Sequence, residues 1–486
     1  MNIKTNNKNQ KNNNKKMKKI KHIHFIGIGG VGMGGIAKIL LNEGYDISGS
    51  DLIKNAVTKT LIKLGATIYF KHNAENIKNA NAVVFSAAIL NNNPEIKNAK
   101  KLGIPLISRA EMLNELMRYR HGIAIAGTHG KSTTTAMISE IYMQANLDPT
   151  FINGCLTKTE EIYARLGNSN YFITEADESD ASLLHLRPLV AVVTNIESDH
   201  MDTYHGNFNK LINTFINFLH NLPFYGRVIM CIDDPIIRKI LPKINRYVIT
   251  YGFSCDADLR IIKYKQKEKQ CFFSIKRKNL PELTIVLNIP GVHNALNATA
   301  AIAVAIEDGI NDNHILSSLI KFCGTKRRFD FFKYYLINNI NNKKKEITLL
   351  DDYGHHPTEI KATITTARTS WPNKRIIMIF QPHRYTRTRD LYDNFVNVLE
   401  HVDVLLILDI YSAGEKQIQG IDSSSLCKTI RNRKQIDPIY ISNPKQIPCF
   451  LSKIIKENDL IIIQGAGDID KIVKILLKTK LYTSIN

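Results

Sequence analysis

An α/β architecture in three domains is what this sequence predicts, and three observations predict it. Short apolar runs recur along the chain and end in polar residues, the pattern of buried parallel strands whose carboxyl ends meet ligands. Two glycine-rich turns each stand between such a run and a helix-forming stretch. The length, 486 residues, divides into about three cores at roughly 100–200 residues per domain.

The elements follow in order. From His22, "HIHFIGIGGVGMGGIAKILLNEGYDISGSD" reads as strand, glycine turn, helix, strand, and "NAVVFSAAI" and "IPLIS" add further strands, giving a first domain over 22–118. A second unit begins at "HGIAIAGTHGKS", continues through "NYFITEAD", "LVAVVTNIE" and "GRVIMCID", and spans 119–323. A third, 324–486, is built on "EITLLDDY", "RIIMIFQP", "DVLLILDIY" and "DLIIIQGAGD". The lysine- and asparagine-rich stretch 1–21 lacks the apolar core of a signal peptide and reads as a disordered basic tail.

Composition narrows the class. No apolar run approaches the roughly 18 residues of a membrane span, so the expectation is a soluble protein without a membrane partner. The seven cysteines are scattered singly with no C-x-x-C pair, which points to reduced thiols in a cytoplasmic protein, with no disulfide framework or zinc site. The net charge of +21 raises the question of nucleic acid. However, excess lysine accompanies excess asparagine and isoleucine throughout, as an AT-rich coding sequence produces, and no basic stripe is interleaved with aromatics, so no nucleic-acid partner is expected.

Gly27, Gly29 and Gly32 form G-x-G-x-x-G after a strand, with Asp51 19 residues beyond the last glycine. That spacing lets backbone amides approach a pyrophosphate at a helix N-terminus. Taken alone, it suits an NAD-type dinucleotide, another diphosphate ligand, or glycines that serve only packing.

The second loop, Gly127-Thr128-His129-Gly130-Lys131-Ser132-Thr133, resembles a P-loop but has Ile125 where the full pattern has its first glycine. Backbone amides from Gly127 to Lys131 can cradle phosphate, Lys131 can neutralise the β- and γ-phosphates, and the Ser132 hydroxyl can ligate Mg²⁺. Further hard ligands are on offer in "EADESDASLL" and "TNIESDHMDTYHG", at the ends of the next two apolar runs. Glu175 and His200 are the selected metal-site residues. Asp177, Glu178, Asp180, Asp199 and Asp202 cannot be ranked from sequence.

With "PGVHNALNATAAIAVA", "RRFD", "DDYGHHPTEI", "FQPHRYTRT", "DIYSAGE" and "QGAGDI" following in order, the chain from about His22 to Asp470 resembles the Mur ligases, in particular their alanine-adding branch. The resemblance implies a Rossmann-like N-terminal domain for a UDP-sugar, a central P-loop ATPase-like domain, and a C-terminal Rossmann-like α/β domain that closes on the active site. The two phosphate loops then serve two substrates, UDP-N-acetylmuramate and ATP. The implied reaction joins L-alanine to the lactyl carboxylate through an acyl phosphate, with Mg²⁺ as cofactor, in cytoplasmic peptidoglycan precursor synthesis by a monomer or weak homodimer.

The roles carry over residue by residue. Lys131 faces the transferring phosphate, with Ser132, Glu175 and His200 at metal. Gly127, Thr128, Gly130, Thr133, His293, Asn294, Asn297, Arg328 and Asp351 serve ATP, although the three residues from 293 to 297 also suit helix capping. Gly27, Gly29, Gly30, Gly32, Ser50, Asp51, Ser86 and His129 serve the UDP-sugar. Tyr353, His355, Arg384 and Arg387 serve the amino acid, because an α-carboxylate suits bidentate arginine.

Departures from the family's pattern are small. Ser132 replaces a commoner threonine, and Ala181 stands where glycine is frequent. The helix "NFNKLINTFINFLH" offers no lysine suited to carbamylation. Rival readings are a recycling ligase that adds a tripeptide to the same sugar, an NAD-dependent dehydrogenase that leaves the P-loop idle, and a basic nucleic-acid ATPase that leaves the first loop idle.

Overall fold

The computed structural model describes residues 17, 19–158, 162–278, 280–337, 344–478 and 481–482. The predicted basic tail falls almost wholly outside them. Among the described residues no helix is long and apolar enough to cross a membrane.

Three sheets organise the chain. The first is all parallel, with strands β1 (His22–Ile26), β2 (Asp46–Ser50), β3 (Thr67–Tyr69), β4 (Ala82–Phe85) and β5 (Leu106–Ser108) in the order 3-2-1-4-5. That is the doubly wound arrangement, and the strand order reverses at β1, so the first glycine loop leaves the sheet at its ligand-binding crevice.

The second sheet contains β6 (His121–Ala126), β7 (Thr150–Ile152), β8 (Ala164–Arg165), β9 (Tyr171–Glu175), β10 (Val190–Val193), β11 (Arg227–Cys231), β12 (Tyr247–Gly252), β13 (Leu259–Lys267), β14 (Gln270–Arg277) and β15 (Leu280–Leu287). Its order, 15-14-13-12-11-10-6-9-7-8, places β6 between β10 and β9, both parallel to it. The P-loop at the end of β6 therefore lies between the two strand ends that carry the acidic stretches. Buried parallel strands need no polar face, and Ile123 to Ala126 and Val190 to Val193 are indeed shut off from solvent.

The third sheet runs 20-19-18-21-17-16-22. It comprises β16 (Asp330–Ile337), β17 (Lys344–Asp352), β18 (Ile376–Phe380), β19 (Val404–Leu408), β20 (Ile439–Ile441), β21 (Leu460–Gln464) and β22 (Leu481–Tyr482). β17, β21, β18, β19 and β20 are parallel neighbours, while β16 pairs antiparallel with β17.

By its contacts the chain divides into two compact units. One is built from the chain up to Lys263 with Phe273–Val286 and Ala295–Phe322, the other from Tyr264–Phe272, Leu287–Asn294 and the chain from Cys323 onward. Within the first unit, the N-terminal sheet and the central strands are packed through the helix Val31–Asn42. A Cβ on its Gly35 would lie 3.0 Å from Ile152 Cγ2, and one on Gly34 would lie 2.2 Å from Val57 Cγ1. Lys38 Nζ from the same helix donates to Ala164 O at 2.8 Å.

The apolar runs singled out in the sequence are all strands. The long strands β13 to β15 are not among those runs, because exposed polar residues such as Lys263, Lys265, Lys276, Glu282 and Thr284 interrupt their apolar positions.

Candidate active site

The first loop is held by the strand beside it. Gly27 N and Ile28 N donate to Ser50 O at 2.8 and 3.1 Å. Gly29 N donates to Asp51 Oδ2 at 2.8 Å, and Asn55 Nδ2 donates to Gly29 O at 2.9 Å. Ser86 adjoins the loop, its Cβ 3.3 Å from where a Gly27 side chain would begin. The Ser50 hydroxyl is turned into a buried network, 2.6 Å from Glu95 Oε2 and 2.9 Å from His72 Nδ1. Ser50 thus meets the loop through its carbonyl oxygen.

The helix Lys131–Gln144 follows the second loop. At Gly127, φ is 132° and a Cβ would lie 2.0 Å from Thr194 Oγ1, so no other residue fits. Three residues after β10 hold the loop. His129 N donates to Asn195 Oδ1 at 2.8 Å, Thr194 Oγ1 to His129 O at 2.5 Å, and Glu197 N to Thr128 Oγ1 at 2.8 Å. Thr128 N also donates to Asn195 O. Two of the expected phosphate-cradling amides are therefore committed to Asn195, and the cradle is narrower than the sequence suggests. His129 Nε2 lies 3.6 Å from Glu197 Oε2.

The structure separates the carboxylates that sequence could not rank. Lys131 Nζ donates to both Glu178 oxygens, at 2.8 and 2.7 Å, and Glu178 is buried. Burial pushes the Glu178 carboxyl up, and the Lys131 ammonium bonded to it pulls it back toward the ionised form. Asp177 and Asp180 lie 3.3 and 3.7 Å from the Arg109 guanidinium. That arginine also stands 3.3 Å from where a Gly32 side chain would begin, so it ties the first glycine loop to the acidic stretch that follows β9. No motif in the sequence marks Arg109.

Asp199 caps its neighbour His200, whose Nε2 is 3.5 Å from Asp199 Oδ2 and whose backbone is left-handed at φ 54°. Glu175 ends β9 and accepts from Gly154 N at 2.5 Å. Burial raises its carboxyl above the ordinary range, offset by Gly154, Lys131 and a hydrogen bond from Ser132. A half-buried carboxylate beside a hydroxyl at the mouth of a phosphate loop is a donor pair that fits a hard divalent cation.

Asn297, in the helix Val292–Glu307, is buried with its Oδ1 2.5 Å from where a Gly130 side chain would begin. It adjoins the loop. By contacts, Asn294 and His293 belong to the second unit. Asn294 Nδ2 donates to Pro290 O at 2.6 Å, a local bond to the turn that precedes the helix. Burial and the Arg328 charge push the His293 imidazole down to about 4, so it is neutral at pH 7.

In the second unit, Arg327 and Arg328 lie 5.2 and 5.1 Å from the Tyr353 ring centroid. Arg328 also donates to Glu359 at 2.8 Å. Asp351 is buried, accepts from Arg327 Nε at 3.3 Å, and its Oδ1 has no hydrogen-bond partner among the described residues. Burial pushes its carboxyl up to about 6.

Beyond Tyr353 the rings of His355, His383 and Tyr411 follow one another at centroid spacings of 5.5, 5.4 and 5.5 Å. Arg387 donates to His383 Nδ1 at 3.2 Å, leaving the other ring nitrogen to carry the proton of the neutral form. Arg384 adopts φ 72°, its Nε buried without a partner among the described residues and its NH1 3.9 Å from Glu415. The expected amino-acid residues therefore form one cluster, to which the structure adds Tyr411 and Glu415. Both lie in "DIYSAGE", a quoted stretch to which no role was attached.

Three family models match the chain: the Mur ligase family catalytic domain over 22–121, the Mur ligase middle domain over 125–305, and the Mur ligase glutamate ligase domain over 337–467. Among solved structures, UDP-N-acetylmuramate-alanine ligase MurC from Thermotoga maritima aligns with a TM-score of 0.77 at 25% identity over 94% of this chain and 98% of that one. A murein peptide ligase from Psychrobacter arcticus aligns at 0.68 and 25% identity, with the same coverage. MurF ligase from Thermotoga maritima in complex with ADP aligns at 0.61 and 16% identity, over 89% and 94% of the two chains, a likeness of fold.

Proposed function

Because the chain belongs to the Mur ligase family, whose work is peptidoglycan precursor synthesis, we propose that it is the ATP-dependent ligase joining L-alanine to UDP-N-acetylmuramate. The observation that carries this reading is the conjunction of two glycine loops at two sheet crevices, the first tied through Arg109 to the acidic stretch after β9, with an arginine and histidine cluster at the ends of β17 to β19. Two phosphorylated substrates and one small zwitterion match those three features. The likeness to the alanine ligase of Thermotoga maritima supports the choice of amino acid.

A carboxylate is a poor electrophile, and phosphorylation makes it a good one. A lactyl carboxylate oxygen attacks the γ-phosphorus of ATP, the bond to the bridging oxygen breaks, and ADP leaves. The alanine amine then attacks the acyl carbon, the C–O bond breaks, and phosphate departs with the former carboxylate oxygen while the amine gives up a proton.

The protein's task is charge neutralisation and alignment. Lys131 binds the transferring phosphate and Asn297 the base. Ser132, Glu175 and His200 would hold Mg²⁺, which when bound offsets charge on the phosphates. The first loop, with Ser86 and Asp51, takes the UDP diphosphate and nucleoside, and His129 faces the sugar. Arg384 and Arg387 receive the alanine carboxylate. His383, its Nδ1 already bonded to Arg387, orients that pair.

The likeness to a murein peptide ligase at equal identity favours a second reading, addition of a tripeptide to the same sugar. Phosphate release from MgATP with UDP-N-acetylmuramate separates them. Release that requires L-alanine supports the proposal, and release that requires the tripeptide replaces it with the second reading.

A further inference from the structure

The Lys131 ammonium has three N–H bonds and lies within hydrogen-bonding distance of four protein oxygens. They are Gly127 O at 2.5 Å, Thr128 O at 3.3 Å and the two Glu178 oxygens at 2.8 and 2.7 Å. None of those bonds is left over for a phosphate. Three of the four acceptors bind at short range, and two of those three are the oxygens of one carboxylate.

The exposure of the Lys131 side chain is 16% and that of Glu178 is 2%, so the ion pair is largely shielded from solvent. Tyr204 holds Glu178 in place by donating to its carbonyl oxygen. An unpaired buried ammonium is strongly unfavourable. Here the Glu178 carboxylate is what supplies its counter-charge.

We propose that Glu178 is a positioning residue that competes with nucleotide phosphate for Lys131, gripping the ammonium until a phosphate takes its place. The inference rests on the reading of this loop as the nucleotide site. Two anions competing for one ammonium in a poorly screened pocket repel each other. Nucleotide binding therefore has to displace the carboxylate, and the exchange weakens apparent affinity. In return, the pairing keeps the lysine ordered whenever no phosphate is bound.

The test is MgATP binding to the full-length chain by calorimetry, for the parent, Glu178→Gln, Glu178→Asp and Asp180→Asn. Glu178→Gln should bind ATP about tenfold more tightly, the worth of one charge-assisted bond no longer surrendered. The same variant, without nucleotide, should melt at a lower temperature than the parent. A merely structural residue would not move these two readouts in opposite directions.

Glu178→Asp keeps the charge and should stay within about twofold of the parent. It also serves if the glutamine variant fails to fold, since tenfold tightening by aspartate would overturn the proposal. Asp180→Asn removes a nearby charge that pairs with Arg109, and should leave ATP affinity unchanged. Equal or weaker ATP binding by Glu178→Gln would overturn the proposal, as would equal tightening by Asp180→Asn, which would trace the effect to the general field. Absence of ATP binding by the parent would instead refute the nucleotide site itself, and this inference with it.

Discussion

Within the N-terminal domain, Glu95 is fully buried and collects the Ser50 hydroxyl at 2.6 Å, Asn76 Nδ2 at 2.5 Å and His72 at 3.2 Å, with His24 at 3.8 Å. Burial alone would raise its carboxyl, but His24, Ser50 and Asn76 outweigh burial and bring it from 4.5 to about 2. Its folded value lies below the unfolded one, so this carboxylate adds stability above about pH 4.5 that is lost as pH falls toward about 2. The gain is on the order of 3 kcal/mol. Glu95→Gln should therefore lose about 2–3 kcal/mol at neutral pH in urea denaturation, and the difference from the parent should shrink steadily through that acid window. A second residue tests backbone strain. Ala181 sits at φ 57° and ψ 15°, where a Cβ is unfavourable, and Ala181→Gly should raise stability by about 1 kcal/mol in the same assay. The sequence marks the alanine as a departure from a frequent glycine, and the backbone supplies the reason. By contrast, Glu178 is indistinguishable from its neighbours in "EADESD", because the choice of carboxylate for Lys131 depends on which one is buried.

At the scale of elements, the glycines of "GGVGMGGIA" divide between two tasks. Gly27 and Gly29 shape the loop, while Gly34 and Gly35 let the helix Val31–Asn42 approach Val57 and Ile152. Gly34→Ala leaves the loop intact but drives a methyl into Val57, and overpacking of this kind costs about 1–3 kcal/mol. Thermal melting should show that loss, while UDP binding, measured well below the melting range, should stay close to the parent's. Strands with both faces buried are legible because an unbroken apolar run has few other uses, and β6, β10, β18 and β21 belong to this class. β13 to β15 escape notice because exposed charged and polar residues interrupt their apolar positions and resemble loop composition. The pairing of Asn195 and Thr194 with the P-loop is equally hidden, since it depends on β10 lying next to β6.

For the whole molecule, order along the chain is the strongest evidence, since the three sheets and the three family models follow the same sequence of segments. The net charge of +21 fits a protein whose two larger proposed substrates are polyanions. The central claim is chemical: one lactyl carboxylate oxygen passes to phosphate for each alanine joined. It is tested most directly with UDP-N-acetylmuramate carrying ¹⁸O in the lactyl carboxylate, incubated with MgATP and L-alanine, with mass spectrometry of the released phosphate. The account predicts one ¹⁸O in each phosphate, formed in step with UDP-N-acetylmuramoyl-L-alanine and absent without alanine. Unlabelled phosphate, or release indifferent to alanine, would contradict it.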